Sequence, residues 1–317
     1  MPKISIIVPI YNGAKFIKSC IAGLFNQSIV DKEIILIDDG STDDTFSILN
    51  NIKKPNVYIV SQENAGAGVA RNIGIEHAHG EYIAFLDVDD KYASNESLEL
   101  LYNCAKNNNA DVCGGSLLIE KDQVNNDKRI FEKDGFWDFK DYQYDFGFNQ
   151  YIYKRQFLMD SGIRFPNYRI YEDPVFLLQV MVSAQKFYAV SEPVYVYSGA
   201  HQTSLNAKKT IDYLHGLRDN LIVSANYKYG ELHKVLFERL NNTASYYVEK
   251  NMDTEDYLLY EALIAASNSV DKNLLRSVGV VVSDEYLVPA LQTVWKASST
   301  YMKLRKKIFF WERLKRR

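Results

Sequence analysis

The sequence has few cysteines and no long apolar run. Its three cysteines, Cys20, Cys104 and Cys113, are an odd number without CxxC or metal-ligand spacing, which argues against a disulfide framework or a zinc knuckle. No stretch of 18 apolar residues occurs, and no charged region followed by an apolar one opens the chain. We therefore expect neither a membrane-spanning helix nor a signal peptide, and we predict a cytoplasmic location.

A local excess of positive charge occurs near the C-terminal end. Residues 303–317 contain eight Lys and Arg against one Glu, whereas the whole chain has a net charge of −3. A general basic surface for nucleic acid is therefore absent. Apolar residues recur on one helical face of this basic amphipathic tail, which is typical of a helix lying on an anionic membrane at its cytoplasmic face. A docked terminal helix or an unstructured basic tail fits the same pattern.

Strand-like and helix-like segments alternate over the first ninety residues. Runs rich in β-branched residues predict buried strands at 3–10, 33–40, 57–64 and 81–87. The segments between them have helical spacing or helix-capping residues, and the third helix is predicted to face inward through Val69, Ile73 and His77. This alternation predicts a mostly parallel α/β sheet flanked by helices, with ligands bound at the carboxyl ends of the strands.

Acidic residues gather where these strands end. Asp38 and Asp39 follow the second strand, and Asp87, Asp89 and Asp90 follow the fourth. Carboxylates held close together raise one another's pKa and lose hydration, so a compensating cation is expected. Mg²⁺ or Mn²⁺ is commonly held by one or two carboxylates together with phosphate oxygens. A solvated turn that caps the next helix explains an isolated DxDD string equally well.

The order and spacing of several motifs resemble the family 2 glycosyltransferases, inverting enzymes with the Rossmann-like GT-A fold that build bacterial cell-surface polysaccharides. The matching segments are PIYNGAKF, IDDGSTDD, ENAGAGVARNIG and FLDVDD in the first ninety residues, and YEDPVF further along. The resemblance implies transfer of a hexose or N-acetylhexosamine from a UDP-sugar to a glycan or lipid-linked acceptor. It also implies Mn²⁺ or Mg²⁺ as the cofactor.

The resemblance further implies a set of donor-binding residues. They are Pro9, Tyr11, Asn12, Asp39, Asn64, Gly66, Arg71 and Asp87. Asp39 would accept a hydrogen bond from the uracil N3–H, which favours uridine over other nucleosides. Arg71 would face the donor diphosphate, since a guanidinium neutralises phosphate charge well.

The metal ligands and the catalytic base are implied in the same way. Asp89 coordinates the metal, Asp87 is its partner, and Asp173 takes the proton from the acceptor hydroxyl. His201 matches a loop position that holds a third metal ligand or a group stabilising the leaving phosphate, although a loop histidine is often only a surface residue. Relatives place a lysine in the tract FNQYIYKR, where this chain offers only Lys154 and Arg155, which leaves their equivalence open.

The remaining segments give a domain outline. We expect a catalytic domain at 1–207, with a nucleotide half at 1–92 and an acceptor half at 93–207, and an all-helical domain at 208–317. Within the acceptor half, the stretch around Trp137 is rich in aromatic residues and lacks a clear period. Two interpretations fit it: a loop whose aromatic rings stack on sugars, or an excursion whose rings pack on the sheet.

Two other functions fit parts of the sequence. GAGVAR at 66–71 suggests a dinucleotide-dependent oxidoreductase, but Arg71 stands where the third glycine belongs and the motif follows the third strand instead of the first. A nucleotide-sugar-binding protein of the same fold without transferase activity is the other alternative. The presence of Asp89 and Asp173 together with Arg71 argues against a loss of chemistry.

Overall fold

The computed structural model describes residues 1–120, 129–199, 206–247 and 257–283, together with Val288. The chain divides into two compact units, residues 1–203 and 204–317. The three cysteines are free thiols. Across these described ranges, no helix combines the length and apolarity needed to cross a membrane.

The first unit is built on one mixed sheet of nine strands in the described part of the chain. The strands are β1 (Ile4–Ile10), β2 (Lys32–Asp39), β3 (Val57–Gln62), β4 (Tyr82–Phe85), β5 (Lys91–Tyr92), β6 (Val112–Ile119), β7 (Gly135–Asp138), β8 (Tyr151–Lys154) and β9 (Lys186–Tyr197). Their order across the sheet is β3-β2-β1-β4-β8-β6-β9-β5, and β7 pairs with β9 outside this path.

Helices cover the sheet and form the second unit. In the first unit they are α1 (Ala14–Phe25), α2 (Thr45–Asn50), α3 (Ala67–His77), α4 (Ser97–Asn107), α5 (Phe139–Tyr142), α6 (Arg155–Ser161) and α7 (Glu172–Ala184), with a 3₁₀ turn at Phe148–Gln150. In the second unit they are α8 (Ala207–Asn226), α9 (Gly230–Arg239) continued by a π-helical segment at Leu240–Ala244, α10 (Tyr257–Asn268) and α11 (Lys272–Ser277).

The first four long strands are parallel, as the alternation of strands and helices predicts. β1 pairs with both β2 and β4, and β2 pairs with β3, all in parallel register. β8 then runs antiparallel to both β4 and β6, which makes the sheet mixed. Every residue of β1 and β2 is buried, because helices cover both faces of the sheet.

Helix α3 packs through a different face from the one predicted. Val69 and Ile73 are only half-buried and His77 is exposed, whereas Gly74 is buried against β1. A Cβ atom added to Gly74 would lie 2.3 Å from Ile7 Cγ2, so only glycine allows this close approach of helix and sheet. The prediction failed because it assigned the inward face by the apolar side chains of Val69 and Ile73, whereas the buried residues of α3 are Gly68, Ala70, Arg71, Gly74 and Ile75.

The aromatic residues around Trp137 pack on the sheet. The Trp137 ring centroid lies 5.5 Å from that of Phe131 and 6.3 Å from that of Tyr142. Phe131 and Tyr142 in turn contact Phe187 of β9. Of the two interpretations of this stretch, the structure favours packing for Trp137; residues 121–128 lie outside the described ranges.

A buried histidine joins three elements of the second unit. His233 of α9 has Nδ1 2.8 Å from Ser224 Oγ of α8, and its Nε2 accepts a hydrogen bond from Asp271 N at 2.9 Å. Asp271 also caps α11, where its carboxylate accepts hydrogen bonds from Asn273 N and Leu274 N. Because Nε2 accepts, the ring is neutral with its proton on Nδ1, and burial lowers the pKa of His233 to about 4.

Candidate active site

The strands β1, β2 and β4 end at one edge of the sheet. Ile10 of β1 pairs with Asp38 of β2, and Ile7 of β1 pairs with Phe85 of β4. The turns that follow these strands therefore meet at the edge formed by residues 10–13, 38–41 and 86–90, which we call the carboxyl edge. Most of the residues predicted for donor and metal binding lie in or beside these turns.

Asp39 is buried at the carboxyl edge and holds the turn that leads into α3. Its carboxylate accepts hydrogen bonds from Gln62 Nε2 at 2.6 Å, from Ala65 N at 2.8 Å and from Gly66 N at 2.9 Å. A carboxylate has about four lone-pair directions, so these three bonds leave capacity for one more donor. Its neighbour Asp38 bonds within the fold, to Ser41 N and Ser61 Oγ.

The turn after β1 contains the other predicted nucleoside contacts. Asn12 adopts a positive φ of 50°, and its Oδ1 accepts hydrogen bonds from Thr42 N at 2.8 Å and Thr42 Oγ1 at 3.2 Å. These bonds fix the β1–α1 turn to the loop after β2. Pro9 is buried within β1, whereas the Tyr11 side chain is 46% exposed beside this edge. Tyr11 is thus the member of the turn with an accessible aromatic ring.

Asn64 and Gly66 lie where the turn before α3 meets the segment before α7. Asn64 Nδ2 donates to the Asp39 carbonyl oxygen at 3.0 Å, and Arg169 donates to both the side-chain and backbone oxygens of Asn64. Gly66 has a φ of 101°, and a Cβ atom there would lie 3.3 Å from Arg169 Cδ. Arg169 was missed by the sequence reasoning; its position three residues before Glu172 in RIYED was the available signal.

Arg71 joins the two halves of the candidate site. Its Nη2 lies 2.8 Å from Asp87 Oδ1 and its Nη1 lies 2.9 Å from Glu172 Oε1. The guanidinium carbon lies 4.6 Å from the Phe148 ring centroid and 5.3 Å from that of Phe165. The side chain is only 5% exposed. In this structure Arg71 is therefore a buried cross-link between residues 87–90, which we call the DVDD turn, and the start of α7.

Asp173 lies in the first turn of α7, beside this cross-link. The helix begins after Tyr171, whose φ of 68° is unusual for a bulky residue. Burial, followed by the negative charge of Glu172, raises the pKa of Asp173 to about 8, although Arg71 opposes this shift. A carboxylate with this pKa is a stronger base than an exposed one and still ionises near neutral pH.

The last carboxylate of the DVDD turn connects strands instead of starting a helix. Asp90 accepts hydrogen bonds from Tyr195 Oη at 2.8 Å and from Ser198 N at 2.8 Å. Tyr195 Oη also accepts a bond from Asp87 N at 3.3 Å. Because α4 begins only at Ser97, the helix-capping interpretation of Asp90 is wrong. Burial raises the pKa of Asp90 to about 7. Tyr195 is a further residue that sequence reasoning missed.

The oxygen chemistry of the DVDD turn fits a divalent cation. Asp87 and Asp89 are both half-buried in one turn, and Asp90 is committed to Tyr195 and Ser198. Two carboxylates together with diphosphate oxygens are a common Mg²⁺ or Mn²⁺ environment. The described residues contain no group of three or more His, Cys, Asp or Glu side chains that could hold a metal ion. His201 lies outside the described residues.

Lys154 and Arg155 lie at the opposite edge of the sheet. Lys154 pairs with Tyr82 at the start of β4, and its Nζ lies 3.2 Å from Asn109 Oδ1. Arg155 N donates to the Glu81 carbonyl oxygen, at the same end of β4. Because β8 runs antiparallel to β4, both residues lie at the end of the sheet away from the carboxyl edge.

Comparison with known sequences identifies relatives of this chain. The sequence model described as Glycosyl transferase family 2 matches residues 5–172, more than half of the chain. The chain is 34% identical over 203 residues to the poly(ribitol-phosphate) beta-glucosyltransferase of Bacillus spizizenii, covering 62% of this chain and 32% of that protein. It is 31% identical over 213 residues to the cholesterol galactosyltransferase of Borreliella burgdorferi, covering 61% and 59% respectively. The chain thus spans between about a third and three fifths of these relatives.

Solved structures show the same fold. The Staphylococcus aureus TarS fragment 1–349 aligns with a TM-score of 0.71 at 21% identity, covering 86% of this chain and 82% of that one. The mannosyltransferase PcManGT from Pyrobaculum calidifontis aligns with a TM-score of 0.53 at 17% identity, covering 96% and 84%. These similarities confirm the predicted GT-A fold with a C-terminal helical region.

Proposed function

Because the chain belongs to glycosyltransferase family 2, we propose that it is an inverting, metal-dependent transferase of surface glycan synthesis. It moves a hexose or N-acetylhexosamine from a UDP-sugar to a glycan or lipid-linked acceptor. The observation that carries this proposal is the Arg71 cross-link. It connects Asp87 of the donor half to Glu172, which is 101 residues from Arg71 along the chain and directly precedes the candidate base Asp173.

The donor end of the site is assigned to the carboxyl edge. Asp39 has the capacity to accept the uracil N3–H in addition to its three internal hydrogen bonds. The exposed Tyr11 ring is available to stack on the base, and Asn12, Asn64 and Gly66 shape the turns around it. Solved complexes of the TarS fragment with UDP and with UDP-GlcNAc support a uridine donor.

Asp87 and Asp89 are the residues that would hold Mn²⁺ or Mg²⁺ at the diphosphate. When bound, the cation supplies positive charge that offsets the developing charge of the leaving group. The distant relative PcManGT was solved with GDP-Man and Mn²⁺, which supports a divalent cation in this fold. Arg71 holds the Asp87 side chain in place, and the Tyr195 hydroxyl accepts the Asp87 N–H.

Asp173 is the proposed general base. It accepts the proton of an acceptor hydroxyl while that oxygen forms its bond to the anomeric carbon from the face opposite the diphosphate. The bond from the anomeric carbon to the diphosphate oxygen breaks in the same displacement, and its electron pair leaves with UDP. One displacement of this kind inverts the anomeric configuration. Glu172 bonds Arg71 and raises the pKa of Asp173.

The remaining assignments complete the proposal. We assign the catalytic domain to residues 1–207 and a helical domain to 208–317. His201, the proposed third ligand, and the basic tail at 303–317 lie outside the described residues. Peripheral association of that tail with the inner face of an anionic membrane therefore remains a prediction from its sequence.

A donor screen tests the proposed function. The purified chain is incubated with UDP-glucose, UDP-galactose and their N-acetyl forms, with Mn²⁺ or with a chelator, and release of UDP is measured. We expect slow hydrolysis of one or more UDP-sugars in the presence of Mn²⁺ only. Turnover of GDP- or dTDP-sugars in preference would overturn the uridine assignment. Tight binding of a UDP-sugar without turnover, even with added acceptors, would favour the binding protein without transferase activity.

A further inference from the structure

The two carboxylates proposed to hold the cation lie in a turn that is closed by its own backbone. Asp87 and Asp89 are half-buried, whereas Asp90, the last residue of the DVDD turn, is only 5% exposed. Asp90 N donates to the Asp87 carbonyl oxygen at 3.0 Å. The position of the two half-buried carboxylates therefore depends on how the rest of the fold anchors this turn.

A single hydroxyl group contacts both ends of the turn. Tyr195 Oη donates to Asp90 Oδ2 at 2.8 Å and accepts a hydrogen bond from Asp87 N at 3.3 Å. Asp89 lies between these two contacts in the sequence. The Tyr195 hydroxyl thus acts as donor at one end of the turn and as acceptor at the other, which fixes the separation of residues 87 and 90.

Tyr195 is itself held firmly in the sheet. It is fully buried in β9, and its backbone pairs with Leu117 of β6 and with Tyr92 of β5. Its ring meets the Tyr92 ring edge to face, with centroids 6.0 Å apart. The other carboxylate oxygen of Asp90 accepts a hydrogen bond from Ser198 N at 2.8 Å, directly after β9. The turn is therefore anchored to a packed strand, which holds a site more precisely than a loop does.

This arrangement gives Asp90 a different role from its neighbours. Its two carboxylate oxygens accept hydrogen bonds from Tyr195 and Ser198, which are groups of the fold. Asp87 and Asp89 keep part of their surface exposed at the carboxyl edge. Hydrogen bonds behind the ligands of a metal site orient those ligands and raise the affinity for the metal.

We propose that Tyr195 and Asp90 are positioning residues that fix the DVDD turn in the geometry in which Asp87 and Asp89 bind a divalent cation. This inference rests on the proposed metal-dependent transferase function and adds two residues that act through the metal ligands. Loss of the Tyr195 hydroxyl removes a partner from each end of the turn, so the turn must be ordered when the cation binds. That ordering lowers the affinity for the cation and leaves the transfer step unchanged once the cation is bound.

Metal binding by a conservative variant tests the positioning role. Mn²⁺ is titrated into the purified chain in the presence of UDP, and the EPR signal of free Mn²⁺ is measured, with UDP alone as the blank. Tyr195→Phe is expected to weaken Mn²⁺ binding about tenfold or more, the usual effect of losing a hydrogen bond behind a metal ligand. UDP release from a UDP-sugar that the wild type hydrolyses should need correspondingly more Mn²⁺. Its rate at saturating Mn²⁺ should stay within about twofold of wild type.

Two further variants separate positioning from general stability and from ligation. Tyr82→Phe is the matched control, because Tyr82 is 1% exposed in the same sheet and its hydroxyl donates to the Ala110 carbonyl oxygen at 3.0 Å, away from the carboxyl edge. It should keep the wild-type Mn²⁺ affinity, whatever it does to thermal stability. Asp90→Asn has one acceptor oxygen for two donors, so it should weaken Mn²⁺ binding without abolishing it, whereas Asp89→Ala should abolish it.

The outcomes separate this inference from the proposed function. Wild-type Mn²⁺ affinity in Tyr195→Phe, or an equal loss in Tyr82→Phe, would overturn the positioning role while the transferase assignment stands. Abolished binding in Asp90→Asn together with wild-type affinity in Tyr195→Phe would show that Asp90 is a metal ligand, which also overturns it. If the wild-type chain binds UDP but no Mn²⁺, the proposed metal dependence fails together with this inference. If it neither binds UDP nor hydrolyses any UDP-sugar, the proposed function itself fails.

Discussion

The Arg71 guanidinium lies 2.8 Å from the Asp87 carboxylate and 2.9 Å from that of Glu172, and the arginine side chain is 5% exposed. A buried ion pair of this kind adds little to the free energy of unfolding when it is intact. Removal of one partner leaves a buried charge without a counter-ion, which destabilises the fold. Arg71 therefore links Asp87 of the donor half to Glu172, the residue that directly precedes the candidate base.

Removal of Arg71 should destabilise the fold strongly. Arg71→Ala leaves Asp87 and Glu172 without their shared cation, and we expect a loss of about 3–5 kcal/mol in the free energy of unfolding. Lys91→Ala is the control, because Lys91 and Glu120 form an exposed pair at 2.7 Å. That pair is expected to contribute about 1 kcal/mol or less. Urea denaturation measures both, and equal losses would contradict the cross-link.

Activity should depend on the ionised form of Asp173. Its pKa is raised to about 8, and a general base acts only when deprotonated, so kcat/KM for the donor substrate should rise with pH and level off above about pH 8. Below that value the ionised fraction falls about tenfold per pH unit. The pH profile of UDP release checks this. A flat profile between about pH 6 and 9 would contradict the assignment of Asp173 as the base.

Two glycine substitutions should have opposite effects on stability. In Gly74→Ala the new Cβ would lie 2.3 Å from Ile7 Cγ2, so we expect destabilisation by about 1–3 kcal/mol from overpacking. Gly23→Ala lies on the exposed side of α1, where no atom is within 4 Å of the new Cβ. There we expect stabilisation by about 0.5–1 kcal/mol from helix propensity. Thermal unfolding measures both variants, and wild-type or higher stability of Gly74→Ala would refute the packing of α3 against β1.

His233 should make the second unit sensitive to acid. Its pKa is about 4 in the fold and 6.5 ordinarily, so the unfolded chain takes up the proton first as the pH falls. The stability it provides is complete above about pH 6.5 and is lost toward about pH 4, by roughly 3 kcal/mol in total. His233→Gln should remove this part of the pH dependence when urea denaturation is compared at several pH values. The same pH dependence in both proteins would show that His233 does not cause it.

The sequence was sufficient for the parts of the fold that depend on local pattern. β-branched runs and helical spacing predict β1 to β4 and the helices between them, because burial on both faces of a parallel sheet leaves near-continuous apolar strands. The inward face of α3 was predicted wrongly, since the close contact of α3 with β1 depends on the absence of a side chain at Gly74, which apolar periodicity does not measure.

The pairs of side chains in the site that are far apart along the chain could be identified only from the structure. Arg71 and Glu172 are 101 residues apart, and Tyr195 and Asp90 are 105 residues apart. Spacing in the sequence identified Arg71 and the acidic residues as candidates through family resemblance, but it contained no information on which of them are paired. The placement of Lys154 at the far edge likewise follows from the antiparallel direction of β8, which no local pattern predicts.

The central claim, a metal-dependent glycosyl transfer with Asp89 as metal ligand and Asp173 as base, is tested most directly by UDP release from UDP-sugars in the presence of Mn²⁺. Asp89→Ala and Asp173→Asn are compared with wild type and with the exposed control Asp160→Asn. We predict that the wild type and the control release UDP at equal rates. Asp89→Ala should match the wild type treated with a chelator, and Asp173→Asn should be slower by roughly 10²–10⁴-fold in transfer to an acceptor. Wild-type rates in either the Asp89 or the Asp173 variant, with the fold intact, would contradict the account.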